Sequence, residues 1–262
     1  MRNITTIAIK DLWIALTTWL SYILFAAFTL ITGFLFYQLV KEFQLQLMEL
    51  TQGNAHAYIK QMNLTDWVMG PVFFWASVAL LILVPLFSMG LIAGERRART
   101  LELLLTTPVR PIEIVLGKFA AGSVLILIML ALTLVFPFLL HILGEGETSP
   151  IDWNTIWVAY LGVFLMGASC LAMGLLASAA SDSQIVAAVL SIAVLLILLF
   201  MGLAARGQEG ALRDFLAYIG LTSHLESFVS GVIKISDLVY YLSFIFLGLF
   251  FTHQVVEAQR WR

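Results

Sequence analysis

Charge is scarce in this sequence. Only 11% of its 262 residues are Asp, Glu, Lys or Arg, where a soluble domain carries about a quarter. So few charges cannot clothe a water-facing surface, and a soluble globular class is excluded. Cysteine is reduced to Cys170, set inside an apolar run, which rules out an intrachain disulfide and reads as a small core residue. The four histidines, His56, His141, His224 and His253, have no metal-like spacing. Neither H-E-x-x-H nor G-x-S-x-G occurs, so nothing marks an intramembrane enzyme. The phosphate loop G-x-x-x-x-G-K-[ST] is missing too. Gly117-Lys118 lacks the first glycine and the following hydroxyl residue. A net charge of −2 without a strongly basic patch gives no nucleic-acid partner a foothold. The N-terminus does not read as a cleavable signal, because Lys10 and Asp11 stand where its apolar core would begin.

What the chain has in abundance is apolar length. Hydrophobic residues make up 61% of it, and several runs reach the ~20 residues a helix needs to cross ~30 Å of hydrocarbon. The expected spans are 17–40, 70–93, 118–141, 155–178, 184–205 and 236–254. The fold class is therefore an all-α polytopic membrane protein, one transmembrane domain over 1–262 with the lipid bilayer as its solvent. Residues 3–16 carry Lys10 and Asp11 among Ile4, Ile7, Ile9, Leu12 and Trp13. They read as an interfacial helix in the headgroups, or as the plain start of a long tilted span. Six spans put both ends on one face. Arg2, Lys10, Arg96, Arg97, Arg99, Arg110, Lys118, Arg260 and Arg262 fall there, against Lys41, Lys60, Arg206, Arg213 and Lys234 on the other. The positive-inside rule makes the first face cytoplasmic. Almost no charge sits within the spans, which argues against a proton- or ion-coupled carrier. No polar stripe marks a channel pore.

The exception is the charged break at 95–118. Glu95, Arg96, Arg97 and Arg99 arrive within five residues, and burying four charges at mid-bilayer would cost more than about 10 kcal/mol. Wound as a helix, Glu95, Arg99 and Glu102 share one face with Arg96 at its edge, and Leu101, Leu104 and Leu105 share the opposite one. Pro108 ends that helix, Pro111 suits the first position of the next, and Glu113 faces its positive dipole end. Two short amphipathic helices result. They form a hairpin resting on the bilayer, or a docking surface with a leucine anchor and a charged rim that includes Arg110; the residues leave both open. Outside, 206–235 is too polar to cross lipid as one helix. Ala211 to Ile219 forms a short helix broken at Gly220, Ser223 and Glu226 make an S-x-x-E capping box, and Gly231 offers the stop. His224 stands ready to pair with Glu226 or a substrate, or is structural. Phe43, Leu47 and Leu50 extend the first span's stripe beyond the membrane, and Asn63-Leu64-Thr65 is a chance-prone glycosylation match. Gly90-x-x-x-Gly94 and Ala168-x-x-x-Ala172 permit close helix approach. Pro85 and Pro137 mark kinks.

Two stretches carry a family likeness. E-R-R-x-R-T-L-E-L-L-L-T-x-P-V with I-V-L-G-K, and S-H-L-E-S-F-V-S-G-V-I with S-D-L-V-Y-Y-L-S, resemble the signatures of type-2 ABC transporter permeases, in particular the permease associated with gliding motility. Relatives often carry Gly where this chain has Arg99. The resemblance implies that the break is a coupling helix seated in a groove of a separate ATPase, which would hold the ATP and Mg; no cofactor is expected in this chain. It implies docking through Glu95, Arg96, Arg97, Arg99, Leu101, Glu102, Leu104, Leu105, Pro108 and Arg110, and an outer gate, for which Phe215, His224, Glu226 and Phe228 are the candidates. Partners would be ABC ATPase subunits, a second permease copy or a paralogue, and further membrane or periplasmic subunits. The setting would be a bacterial or archaeal cytoplasmic membrane, with export as the direction. The alternative is a scaffold or force-transmitting part of a larger machine.

Overall fold

The computed structural model describes residues 2–52, 63–100, 109–143 and 151–259. Among these, ten α-helices follow one another: α1 (Arg2–Thr17), α2 (Trp19–Gln52), α3 (Gly70–Arg97), α4 (Pro111–Thr133), α5 (Val135–Leu143), α6 (Trp153–Ala180), α7 (Gln184–Ala205), α8 (Ala211–Ile219), α9 (Leu225–Val229) and α10 (Ile235–Gln259). A π-helical turn, Thr65–Met69, leads into α3. Six stretches are long and apolar enough to span a membrane: Trp19–Thr51, Thr65–Arg97, Pro111–Ile142, Trp153–Ala180, Gln184–Ala205 and Ile235–Gln259. The chain is an all-helical, multi-pass membrane protein.

The core is organised around α6, which packs against α3, α4, α7, α9 and α10. Its sequence shows why it is chosen. Gly162, Gly167, Ala168, Ser169, Cys170, Ala172 and Gly174 are all small and all buried, and small residues let helices approach closely without a hydrophobic drive between them. Ala168 and Ala172 thus serve packing within the chain, the latter against Gly248 of α10. Ser178 of α6 goes further and enters the backbone ladder of α3. Its Oγ donates to Met89 O at 2.8 Å and accepts from Ala93 N at 2.9 Å.

The helix ends follow local chemistry. Asp152 caps α6 by accepting from Asn154 N at 3.0 Å. Pro137 has no N–H for the Thr133 carbonyl, and the helix is interrupted there at Leu134, separating α4 from α5. At Pro85, by contrast, α3 runs on. Thr18 alone separates α1 from α2, so the N-terminal helix meets the first span at a one-residue elbow. With 34 residues, α2 is about 50 Å long, more than the hydrocarbon thickness, and Phe43 near its far end is buried.

Candidate functional site

The break between α3 and α4 gathers charge from three helices. Lys118 lies two turns into α4 and its side chain is only 1% exposed. Its ammonium is 3.0 Å from Asp11 Oδ2 of α1 and 2.9 Å from Glu95 Oε2 of α3. The first contact is a hydrogen bond; the second is an ion pair outside hydrogen-bond geometry. Lys10 closes the group from the rim, 2.8 Å from Glu95 Oε1 and 3.5 Å from Asp11 Oδ1. Partial burial works against its charge, but Glu95 and Asp11 outweigh this and raise Lys10 above its ordinary value of 10.5. The four formal charges cancel, which is what makes such burial tolerable.

A second tie reaches the start of α4. Glu113 accepts from the Arg110 backbone N–H at 3.1 Å and from Asn3 Nδ2 of α1 at 3.1 Å. Between these ties Ile7 packs on Gly117, where a Cβ would stand 2.9 Å from Ile7 Cβ. So α1 is docked along the first two turns of α4. Beside the charges, a cavity of about 350 Å³ runs from Asp11, Glu95 and Lys118 past Thr18 and Ser21 to Leu86 and Leu125.

Arg96 turns the other way. It donates to Asp182 Oδ1 at 2.6 Å, Ala179 O at 2.7 Å and Ser181 O at 3.2 Å, holding the open C-terminal carbonyls of α6 at the α6–α7 turn. Gln259 of α10 also donates to Ala179 O. Glu95 and Arg96 are therefore engaged inside the chain, whereas Arg97, Arg99 and Arg110 are exposed. Of the other residues expected to dock a partner, Leu101, Glu102, Leu104, Leu105 and Pro108 lie outside the described residues.

One sequence expectation needs correcting. Glu95 and Arg99 do not share a continuous helical face, and Glu102, expected beside them, lies outside the described residues. The helix α3 ends at Arg97, and Arg99 takes a positive φ of 56°, the left-handed conformation that closes a helix C-terminus. That conformation is the one glycine adopts freely.

At the opposite face, α8 packs on α7 and α9 on α6. Here His224 and Phe228 point inward. His224 Nδ1 lies 2.9 Å from Asp237 Oδ1 of α10, its Nε2 lies 3.0 Å from Tyr218 O, and its ring stacks on Tyr240 at 3.8 Å. Ser227 Oγ donates to Asp237 Oδ2. Phe228 is fully buried on Gly162, where a side chain would collide with it. Phe215 and Glu226 face outward. The partner of His224 is thus Asp237 rather than Glu226. The Ser223 capping box is not made either, since α9 starts a residue later with His224 at its N-cap and no side-chain cap. Gly231 does end α9, at φ 75°, with Val232 N bonded to Ser227 O and Gly231 N to Phe228 O; this is a Schellman motif. Sequence reasoning passed over Asp11 and Asp237 as partners. Both were visible as lone acids in apolar surroundings, a signal that favours a buried counter-charge or donor.

Residues 5–255 match the family model described as ABC-2 family transporter protein. The chain belongs to that family. An ABC-2 permease is the membrane subunit of an ABC transporter and is not itself the catalytic part, so this chain is a transport subunit. Its family works in general with an ATPase partner and in a dimeric arrangement. No curated protein matches the chain.

Proposed function

We propose that this ABC-2 permease subunit couples ATP hydrolysis on a separate ATPase to export across a bacterial or archaeal cytoplasmic membrane. In this reading both chain ends and the 95–118 segment face the cytoplasm, and that segment is the ATPase dock. The observation that carries it is the division of labour among the charges of the break. Glu95 and Arg96 are engaged by the chain's own helices, while Arg97, Arg99 and Arg110 stand exposed on either side of 101–108. An exposed cationic rim flanking Leu101, Leu104 and Leu105 has the composition of a docking patch: an apolar anchor with a polar surround.

The likeness of both motifs to permeases associated with gliding motility supports the same reading, and it leaves either a second copy or a paralogue as the partner permease. On the outer face, the short helices α8 and α9, clamped through His224 and Phe228, are suited to gate the exit, with Phe215 and Glu226 offered outward. The test is co-purification. Tagged wild-type chain should bring down an ABC ATPase in membranes from its source cell, and Leu104→Asp should lose it while remaining folded in the membrane. If the wild type brings down no ATPase, or Leu101→Asp and Leu104→Asp both retain it in full, the docking reading fails.

A further inference from the structure

The buried charges at the break do more than neutralise one another, because they come from three helices that the sequence alone does not join. We propose that Lys118 is a positioning residue that makes α1 and both ends of the ATPase-docking break one rigid body, so that a push on the break moves α1 with it and bends the chain at Thr18. This rests on the docking reading above and adds the path by which the push leaves the dock.

Four observations carry it. Lys118 is almost fully buried and reaches acids on two other helices, Asp11 on α1 and Glu95 at the end of α3. Its own helix begins at Pro111, on the far side of the break, so the ammonium holds the two ends of the break together. The helix α1 is fastened a second time at Asn3–Glu113 and a third at Ile7–Gly117, spaced along its length so that it cannot pivot on a single contact. The elbow at Thr18, finally, lies against the cavity of about 350 Å³, so the chain has room to bend just beyond the last fastening. Packed elements shift as units rather than deform continuously. A helix fastened at three places should therefore follow α4, and the relative motion should fall at the elbow.

A cross-link separates this from a merely stabilising role. Ile7→Cys/Gly117→Cys would join α1 to α4. A Cβ at Gly117 would stand 2.9 Å from Ile7 Cβ, short of the ~3.5–4.5 Å span of a disulfide, so the bond closes once the two helices part by about 1 Å; Cys170 is buried. The readout is stimulation of the co-purified ATPase's hydrolysis by the permease in lipid nanodiscs. The oxidised double-cysteine protein should respond like its reduced form, since the joined parts already move together. Lys118→Met should keep the ATPase bound but lose roughly tenfold in stimulation, Lys118→Arg should keep most of it, and oxidising the cross-link in the Lys118→Met background should restore it.

If oxidation abolishes the response in the otherwise unaltered chain, α1 must move against α4 and the proposal is overturned. Full stimulation in Lys118→Met without the cross-link overturns it too. Should Lys118→Met fail to fold, the oxidised and reduced forms in the unaltered background still decide. Absence of any bound ATPase in the wild type is a different result. It removes the docking reading itself, and this proposal with it.

Discussion

Arg99 sits where the backbone costs most among the described residues of the break. A non-glycine residue at φ 56° gives up about 1 kcal/mol relative to glycine, and nothing in the conformation of the α3 terminus requires the arginine side chain. Arg99→Gly should therefore raise the unfolding free energy of the detergent-purified chain by about 1 kcal/mol in denaturant titration; no gain, or a loss, would mean the guanidinium makes up the difference. Lys118 is the opposite case. Without its ammonium, Asp11 is left buried beside the second acid, a loss of about 3–5 kcal/mol. The sequence showed Lys118 as the first residue of a span, and so outside the hydrocarbon. The helix start at Pro111 was legible too; what the sequence did not show is that this helix is no separate short one but runs unbroken into the span, with Lys118 two turns inside it. Glu95 and Arg96 were legible as charges that must avoid lipid, but not as charges that bind helices of their own chain. Lys10 lies 85 positions from Glu95 and Asp182 lies 86 from Arg96, and Lys118 meets Glu95 only across the whole break, beyond any helical spacing rule.

Among the elements, α6 depends on its first turn. Thr155 Oγ1 donates to Asp152 at 2.7 Å and Asn154 N at 3.0 Å, and these bonds hold the Asp152 carboxyl below its ordinary value of 3.8. A depressed folded-state pKa gives stabilisation that is present above 3.8 and lost as pH falls through the lower folded-state value. Asp152→Ala should lower the thermal midpoint at neutral pH, and the gap to wild type should narrow as the pH drops below 3.8 and close below the folded-state value. The pair α8–α9 is held by few anchors. Tyr240 Oη and Tyr241 Oη donate to Ile219 O and Leu221 O, and Asp237 holds His224 and Ser227. Asp237→Ala should speed amide exchange across Ala211–Ile219 and Leu225–Val229 while leaving α3 unchanged; uniform acceleration would point to global unfolding instead. The bounds of α8 could be read from the glycines flanking it, and the end of α9 from Gly231. The start of α9 could not, because His224 turns its ring to a residue on another helix rather than capping its own.

For the whole molecule, the two faces are distinct in kind. One carries the buried charge group with Arg97, Arg99 and Arg110 exposed beside it, the other the aromatic clamp. Cysteines at Arg97 and Phe215 should label from opposite sides of sealed vesicles, Arg97→Cys from the cytoplasmic side and Phe215→Cys from outside. Labelling of both from one side would refute the orientation. That the chain is helical and crosses a membrane six times follows from its sequence alone, because lipid leaves no solvent for unpaired backbone groups, and apolar length then dictates spanning helices. The charged break was equally legible, since the cost of placing charge in hydrocarbon depends only on residue type. Which helix is central, and which charges are left exposed and which are kept within, was decided by tertiary structure. Lipid is as apolar as the side chains it meets, so hydropathy cannot tell a lipid-facing helix from a buried one. The choice falls to close packing of small residues, as along α6, and to ion pairs such as Asp11–Lys118–Glu95, whose members meet only after the helices are in place. The scarcity of charge set the class of this protein; where the few charges are spent is what the packed helices determined.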